Sequence, residues 1–415
     1  MKKSGTINLD LELLRGVAIV FTLCSHLVWG LLPKMGDVGR QLQTMLQFWT
    51  GVDLFFCISG FIITTSLLKI LEDKRADRGP PATNRWSQFI QLSIPFWIRR
   101  AFRLLPSAWL WILLTLILAT TFNAHATFGT LRDNLYEAGA AVLNVANFYY
   151  YDTFANSNGV YGSFGIFWSL SLEEQFYLLL PFLLFFLKRR TFIFVLCAAW
   201  LAQFLVARPN GFTPHHTSLL WFIRTDALIL GVFIALWKKS RTYRLCEPQF
   251  LRQNIFSLPL VGLCLLLLVS LPAMSAYISI TTGLTAIVCG LLVFIASYDR
   301  DYILRPSMLK TAIVWLGSRS YSIYLIHVTG HTFVIELKRS AEIAEGSPLS
   351  VALTFLSVPF ILILSELNYR FVETPFRRIG KRIAEKFGRH LSPSEIPGDL
   401  TLIGRAEPAP KSSKG

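Results

Sequence analysis

Ten runs of about 17 to 25 mainly apolar residues, the length an α-helix needs to cross a hydrocarbon core, dominate this sequence. They cover roughly 11–31, 49–70, 106–122, 165–187, 191–207, 217–237, 254–273, 277–298, 311–335 and 350–369 of its 415 residues. The apolar residues form blocks rather than one-sided stripes, so each block requires an apolar environment all round. The composition agrees, with 53% hydrophobic and only 16% charged residues and a mean hydropathy of +0.49, against about 25% charged in a soluble domain. A soluble enzyme on a single membrane anchor is thereby excluded. The expected fold class is all-α, a polytopic membrane bundle of about ten transmembrane helices. The segment 135–150 is too short and too polar to span and reads as an interfacial or re-entrant helix.

Forty Lys and Arg against 25 Asp and Glu leave a formal charge of +15, which in a soluble chain would suggest nucleic acid. Here the charges report topology instead. With the N-terminus inside, 31 of the basic residues fall in internal segments, six in external loops and three (Arg15, Arg224, Arg319) within spans. This asymmetry follows the positive-inside rule, so both termini are expected in the cytoplasm and no nucleic-acid partner is implied. The loop from Lys69 to Arg103 carries eight basic residues and the tail from Arg370 ten. The expected organisation is a transmembrane domain over 1–385 and a disordered cytoplasmic tail over 386–415. Lys2 and Lys3 imitate a signal peptide, but Asp10, Glu12 and Arg15 interrupt the pattern and no small-residue cleavage site follows. The first span is therefore expected to be retained. Five of the six cysteines lie inside apolar runs and none forms a CxxC pair, so they read as reduced packing residues, without a disulfide or metal framework.

A charged group in hydrocarbon is costly and therefore faces a partner, a cavity or the bundle interior. In the first span Arg15 and His26 are eleven residues apart, three helical turns plus about 20°, which puts both on one face roughly 16.5 Å apart along the axis. The alternative is an arginine held by Glu12 and a histidine hydrogen-bonded within the bundle. In the second span Asp53, Cys57, Gly60 and Thr64 share a face; helix packing accounts for the small residues but not for Asp53. Glu173 and Glu174 sit near mid-depth in FWSLSLEEQFYLLLP, about 100° apart round the helix. Arg224 and Asp226, at i and i+2, point apart and need partners elsewhere. Ser320, Tyr324, His327 and His331 fall within one sector. The two histidines at i and i+4 lack a nearby third ligand, so a hydrogen-bonding cavity wall is favoured over a metal site, and no metal is expected. By depth, His26, Glu173 or Glu174, Asp226 and His327 lie between the midplane and the outer third, whereas Arg15, Arg100 and Arg103 gather at the inner side. Clustered guanidinium groups suit phosphate oxygens, although positive-charge anchoring also explains Arg99, Arg100 and Arg103. A long phosphorylated donor, entering from the cytoplasm and reaching the histidine with its reactive end, would use this layout.

Seven segments occur together in order: RGVAIVFTLCSH (Arg15 to His26), FFCISGF (Phe55 to Phe61), RRAFRLLP (Arg99 to Pro106), WSLSLEEQFYLLLP (Trp168 to Pro181), RTDALILG (Arg224 to Gly231), LGSRSYSIYLIH (Leu316 to His327) and VETPFRR (Val372 to Arg378). On these the chain resembles the acyltransferase-3 family of integral membrane O-acyltransferases, which modify sugars and other hydroxyl-bearing acceptors of cell-surface glycans and small molecules. The likeness covers about residues 9–380. Longer members carry a fused extracytoplasmic hydrolase-like domain, so the resemblance implies a stand-alone form, for which a lipid-linked glycan, an exopolysaccharide or lipopolysaccharide unit or a small hydroxylated molecule is the expected acceptor. It further implies a multi-pass protein of the cell membrane, a bacterial inner membrane, in contact with lipid. Acyl-CoA, acetyl-CoA foremost, is the implied co-substrate, with no permanently bound cofactor.

Residue by residue, the resemblance makes Arg15 and His26 the family's arginine and histidine pair, Arg100 and Arg103 its RxxR site for the donor phosphates, and Glu173 and Glu174 its acidic pair. His26 would then act as general base on the acceptor hydroxyl, with Glu173 or Glu174 orienting its ring, or would itself be acylated; the sequence leaves both routes open. Arg224, Tyr324 and His327 are the candidates for stabilising the oxyanion, and Asp53 and Asp226 for contacting substrate. The rival reading is a transporter or flippase of a glycolipid or organic anion. Its usual sign is interrupted helices in two related halves, which the sequence does not display.

Overall fold

A computed structural model of the chain describes residues 7–28, 36–76, 84–156, 162–206, 208 and 217–390. These residues are helical with no strand among them. Helix α1 (Leu9–Leu23) starts at Asn8, whose side chain accepts the Leu11 N–H, and it carries Asp10 and Glu12 in its first turn, where the helix dipole favours acids. It runs on into a π turn, Cys24–Val28. The short helix α2 (Gly36–Met45) precedes α3 (Gly51–Ala76), and α4 (Arg85–Thr121) follows with 37 residues. Most of the basic segment expected to be a loop between 69 and 103 is therefore helix. Ser87, Gln88, Gln91, Arg99 and Arg100 interrupt the apolar residues there, so no apolar run marks the first half of α4.

Helices α5 (Leu131–Val142) and α6 (Ala146–Asn156) occupy the segment set aside as non-spanning. Next come α7 (Phe167–Phe186) and α8 (Arg189–Phe204). The sixth expected span is broken into α9 (Leu219–Phe222) and α10 (Asp226–Trp237). After α11 (Arg241–Leu245), α12 (Asn254–Ser270) and α13 (Thr281–Ser297), the ninth is broken at Arg319 into α14 (Met308–Ser318) and α15 (Ser320–Ser340). These two interruptions correct the expectation of unbroken helices. Arg224 and Arg319, which sit in the breaks, are paired with Asp53 and Glu366 respectively. Finally α16 (Pro348–Asn368) passes through a second π turn, Tyr369–Glu373, into α17 (Thr374–His390). The helix thus runs past the expected boundary at 385, and residues 391–415 of the expected tail lie outside the described residues.

Five helical stretches, Gly36–Glu72, Arg85–Thr121, Phe167–Phe186, Asn254–Ser275 and Pro348–Phe387, are long and apolar enough to cross a bilayer, and Asp226–Trp237, Thr281–Ser297 and Met308–Ser318 are shorter apolar helices. Large apolar side chains such as Leu113, Phe194, Leu263 and Phe355 stand on the exterior, as a lipid-facing surface requires. The chain is a polytopic membrane helix bundle.

Two glycine seams set its centre. A Cβ on Gly60 of α3 would lie 2.1 Å from the Leu228 carbonyl oxygen of α10, and one on Gly231 of α10 would lie 2.1 Å from the Cys57 carbonyl oxygen. Gly16 of α1 and Gly317 of α14 make the same kind of approach, to Ile313 O at 2.1 Å and Glu12 O at 1.8 Å. With no hydrophobic force between helices in lipid, such backbone contact is what holds them. Gly51 brings α3 against the Ala18 carbonyl of α1. The helices carrying Arg15, His26, Asp53 and Ser59 are fixed in this way. The basic end of the bundle holds α17 and the start of α1; the opposite, loop end holds α5 and α6.

Candidate active site

Two cavities lie back to back in the bundle. The one nearer the basic end has about 700 Å³ of empty space, part of it open to solvent, and is lined by Arg15, Arg100, Arg103, Glu173, Tyr177 and Ser59, with apolar residues of α3 and α7. Arg15 donates to Glu12 at 3.2 Å. Among the described residues Arg100 and Arg103 have no ion pair, and the buried Nε of Arg103 has no hydrogen-bond partner. The Arg100 guanidinium lies over the Tyr177 ring, 5.2 Å from its centre. Tyr177 donates to one oxygen of Glu173 at 2.6 Å and Ser59 to the other at 3.1 Å. The result is a largely apolar pocket with a cluster of excess positive charge, suited to an anionic ligand whose oxygens supply the missing acceptors.

The second cavity, nearer the loop end, has about 1380 Å³ of empty space, part of it open to solvent, and is lined by His26, Thr22 and Ser25 of α1 and its π turn, Trp49, and Thr127 and Ser163 of the loop-end segments. The π turn carries His26, which is exposed onto this cavity. π turns recur at functional sites because the extra residue displaces a side chain from regular α-helical placement. His26 lies edge-on to His327 with ring centres 4.9 Å apart. The loop-end walls are anchored by carboxylates. Glu137 accepts the Gly162 and Phe164 N–H groups at 2.6 and 2.9 Å, and Glu336 accepts the His125 N–H at 2.9 Å and the Thr127 hydroxyl at 2.5 Å.

Val52 and Tyr324 line both cavities, so the wall between them is about one side chain thick. Tyr324 is held there by Ser169, oxygen to oxygen 2.6 Å, and by the Ile166 carbonyl, which accepts its hydroxyl at 3.3 Å. The Phe55 ring packs edge-on against it.

The structure thus sorts the residues singled out in the sequence. Arg15, Arg100, Arg103 and Glu173 gather in the basic cavity, His26 in the other, and Tyr324 between. Glu173 does not meet His26: its two oxygens are held by Tyr177 and Ser59. Glu174 lines a third, smaller space of about 400 Å³ with Glu173, Trp109 and Tyr321. Asp53 and Asp226 line none of these cavities. Asp53 takes the Arg224 guanidinium at 2.9 and 3.3 Å, and Asp226 takes Arg208 at 2.6 Å, all four being buried. Trp49, Trp168 and Trp221 box Arg224, with its Cζ 4.9, 4.7 and 4.0 Å from their ring centres. Arg224 reaches the wall of the larger cavity only from within this box. Among the described residues no group of three His, Cys, Asp or Glu is placed to hold a metal. Sequence reasoning missed Ser59, whose only signal was its position one turn from Phe55 in an apolar helix, and Thr127 and Ser163, which carry no motif.

Comparison with known proteins gives the family. The model of an acyltransferase domain, the acyltransferase-3 family, matches residues 8–366. Peptidoglycan O-acetyltransferase OatA of Listeria monocytogenes is 29% identical over 357 residues, 80% of this chain and 51% of that protein. YrhL of Bacillus subtilis, provisionally named a peptidoglycan O-acetyltransferase, is 30% identical over 359 residues, 80% of this chain and 51% of its own length. A provisionally named O-acetyltransferase of Staphylococcus aureus is 29% identical over 399 residues, 89% of this chain and 57% of that protein. The chain spans about half the length of these curated relatives. No solved structure matches it. A multi-helix membrane bundle whose sequence matches this one domain model over residues 8–366 belongs to the acyltransferase-3 family.

Proposed function

We propose that this protein moves an acyl group, acetyl foremost, from cytoplasmic acyl-CoA to a hydroxyl of a carbohydrate or lipid-linked glycan, crossing the cell membrane ten times with both termini in the cytoplasm. The observation that carries this reading is the pair of cavities of different chemistry divided by one layer of side chains. The phosphates of the donor bind Arg15, Arg100 and Arg103, of which Arg100 and Arg103 have no ion pair with any described residue while Arg15 is held by Glu12. The acyl end of the donor passes Val52 and Tyr324 to the His26 cavity, which takes the acceptor. There His26, as neutral imidazole, removes the proton of the acceptor hydroxyl while its oxygen attacks the thioester carbon. Such assistance contributes roughly 10²- to 10⁴-fold, and holding both reactants at one septum supplies much of the remainder. The glycan named for OatA and YrhL supports a surface-polysaccharide acceptor for this chain.

The test is binding and turnover of acetyl-CoA by purified protein, with a lipid-linked glycan fraction as acceptor. Wild type turns over; His26→Ala binds the donor but does not transfer; Arg103→Ala binds it more weakly. A wild type that neither binds nor turns over acetyl-CoA, yet moves a glycolipid or organic anion across vesicles, sinks this reading in favour of a transporter.

A further inference from the structure

The expected carboxylate partner of His26 lies on the far side of the septum, and what does touch the ring is His327. Their ring centres are 4.9 Å apart with the planes at 61°. His327 is fully buried, and its Nδ1 stands 2.6 Å from the Tyr324 carbonyl oxygen. A carbonyl oxygen only accepts, so Nδ1 carries the hydrogen. In the neutral ring Nε2 is then a bare lone pair. That atom is buried and has no hydrogen-bond partner, a state native interiors rarely tolerate without a use for it. His26, beside it, forms no hydrogen bond with any described residue through its own ring. One side of the contact is thus an acceptor fixed by the helix backbone, and the other is a ring with a hydrogen to place.

We propose that His327 is the positioning residue for His26: the two rings are in contact but share no hydrogen bond in this structure, and a small rotation of the His26 ring lets Nε2 of His327 accept the hydrogen on one nitrogen of His26 so that the other presents its lone pair to the acceptor. This rests on the acyl-transfer reading of the cavity. As the acceptor oxygen bonds to the acyl carbon, its proton passes to the free nitrogen of His26, which then holds a hydrogen on both nitrogens, one of them shared with His327. The carbon–sulfur bond breaks, and the proton moves from His26 to the departing sulfur. His26 ends neutral, as it began. A neutral orienting acceptor does this without a buried carboxylate in the membrane interior, where an uncompensated charge is costly.

The test uses the full-length protein in nanodiscs with histidine-selective ¹⁵N labelling, His26→Ala serving to assign the signals. In wild type His327 is expected to carry hydrogen on Nδ1 alone, and His26 to hold one tautomer that becomes a mixture in His327→Phe. A His327 protonated on Nε2 alone, or a His26 signal identical in wild type and His327→Phe, overturns the proposal without reference to turnover. In acetyl transfer, His327→Phe is expected to lower kcat roughly 10²-fold with the KM for acetyl-CoA unchanged. His327→Gln, whose amide oxygen accepts a hydrogen, regains at least about tenfold of that loss. Equal losses in the two variants, with KM raised as well, mark His327 as a cavity wall and overturn the assignment. A wild type that shows the expected tautomers but transfers no acetyl group removes the acyl-transfer reading instead.

Discussion

Glu173 and Glu174 are neighbours in the chain but have different surroundings. Glu173 accepts from Ser59 and Tyr177 at the basic cavity, whereas Glu174 lines the smaller space beside Trp109. Losing the charged acceptor of those bonds is worth about 1.5–3 kcal/mol, so Glu173→Gln should lower acetyl transfer about ten- to hundredfold and Glu174→Gln less, as measured on purified protein. Asp53 has another kind of duty. Removing it strands Arg224, buried among three tryptophans, and breaking such a pair costs about 3–5 kcal/mol. Asp53→Asn should lower the thermal stability accordingly, while Asp53→Asn combined with Arg224→Met, which removes both charges, recovers most of it. Glu336 lies one residue past the apolar run 311–335. Burial alone would raise its pKa, but hydrogen bonds from Thr127 and His125 outweigh burial and hold it below the ordinary 4.5. A carboxylate depressed on folding adds stability above that ordinary value, lost as pH falls through its folded value. Wild type should therefore lose more thermal stability than Glu336→Gln as the pH is taken below 4.5. The ionisable residues themselves were legible in the sequence, because a charge in an apolar run is conspicuous. Their partners were not: Arg224 meets Asp53 across 171 positions, and spacing along one helix says nothing about which helix lies opposite.

At the level of the helices, apolar runs marked where helices are but not where they bend. The breaks between α9 and α10 and between α14 and α15 fall inside continuous apolar text, so hydropathy passes over them. The π turn at Cys24–Val28 adds one residue to a helix without changing its composition, and the first half of α4 hid behind polar residues that interrupt its apolar surface. The Gly60 position was legible as part of a small-residue stripe, and its partner Gly231 was not. At Gly60 an added methyl meets the Leu228 carbonyl oxygen, which cannot swing away as a side chain would. Gly60→Ala should thus destabilise the protein by about 1–3 kcal/mol. Gly139→Ala, on α5 with open space around it, should be neutral or add about 0.4–1 kcal/mol, and thermal unfolding of the two variants side by side checks both.

For the molecule as a whole, separate cavities mean separable substrates. Arg100→Ala should raise the KM for acetyl-CoA and leave that for the acceptor unchanged, whereas Ser163→Ala should do the reverse; steady-state kinetics with each substrate varied in turn decides. The depth ordering of the ionisable residues carried part of this arrangement, with arginines at one level and a histidine at another, but it set Glu173 or Glu174 with the histidine, whereas Glu173 lines the cavity of the arginines. The wall between the levels was not legible, since Val52 and Tyr324 look like any other residues of an apolar helix. That thin wall has an electrical consequence. On the proposed topology the cavities on its two faces open to opposite compartments and each approaches the potential of its own side, so a membrane voltage would fall mainly across these few side chains. Carrying one elementary charge over that drop involves about 2.3 kcal/mol per 100 mV. In the proposed reaction the acyl group is neutral and would cross without electrical work, while the phosphates of its carrier would stay behind at the arginines, so the handover should run equally well whether or not the membrane is energised.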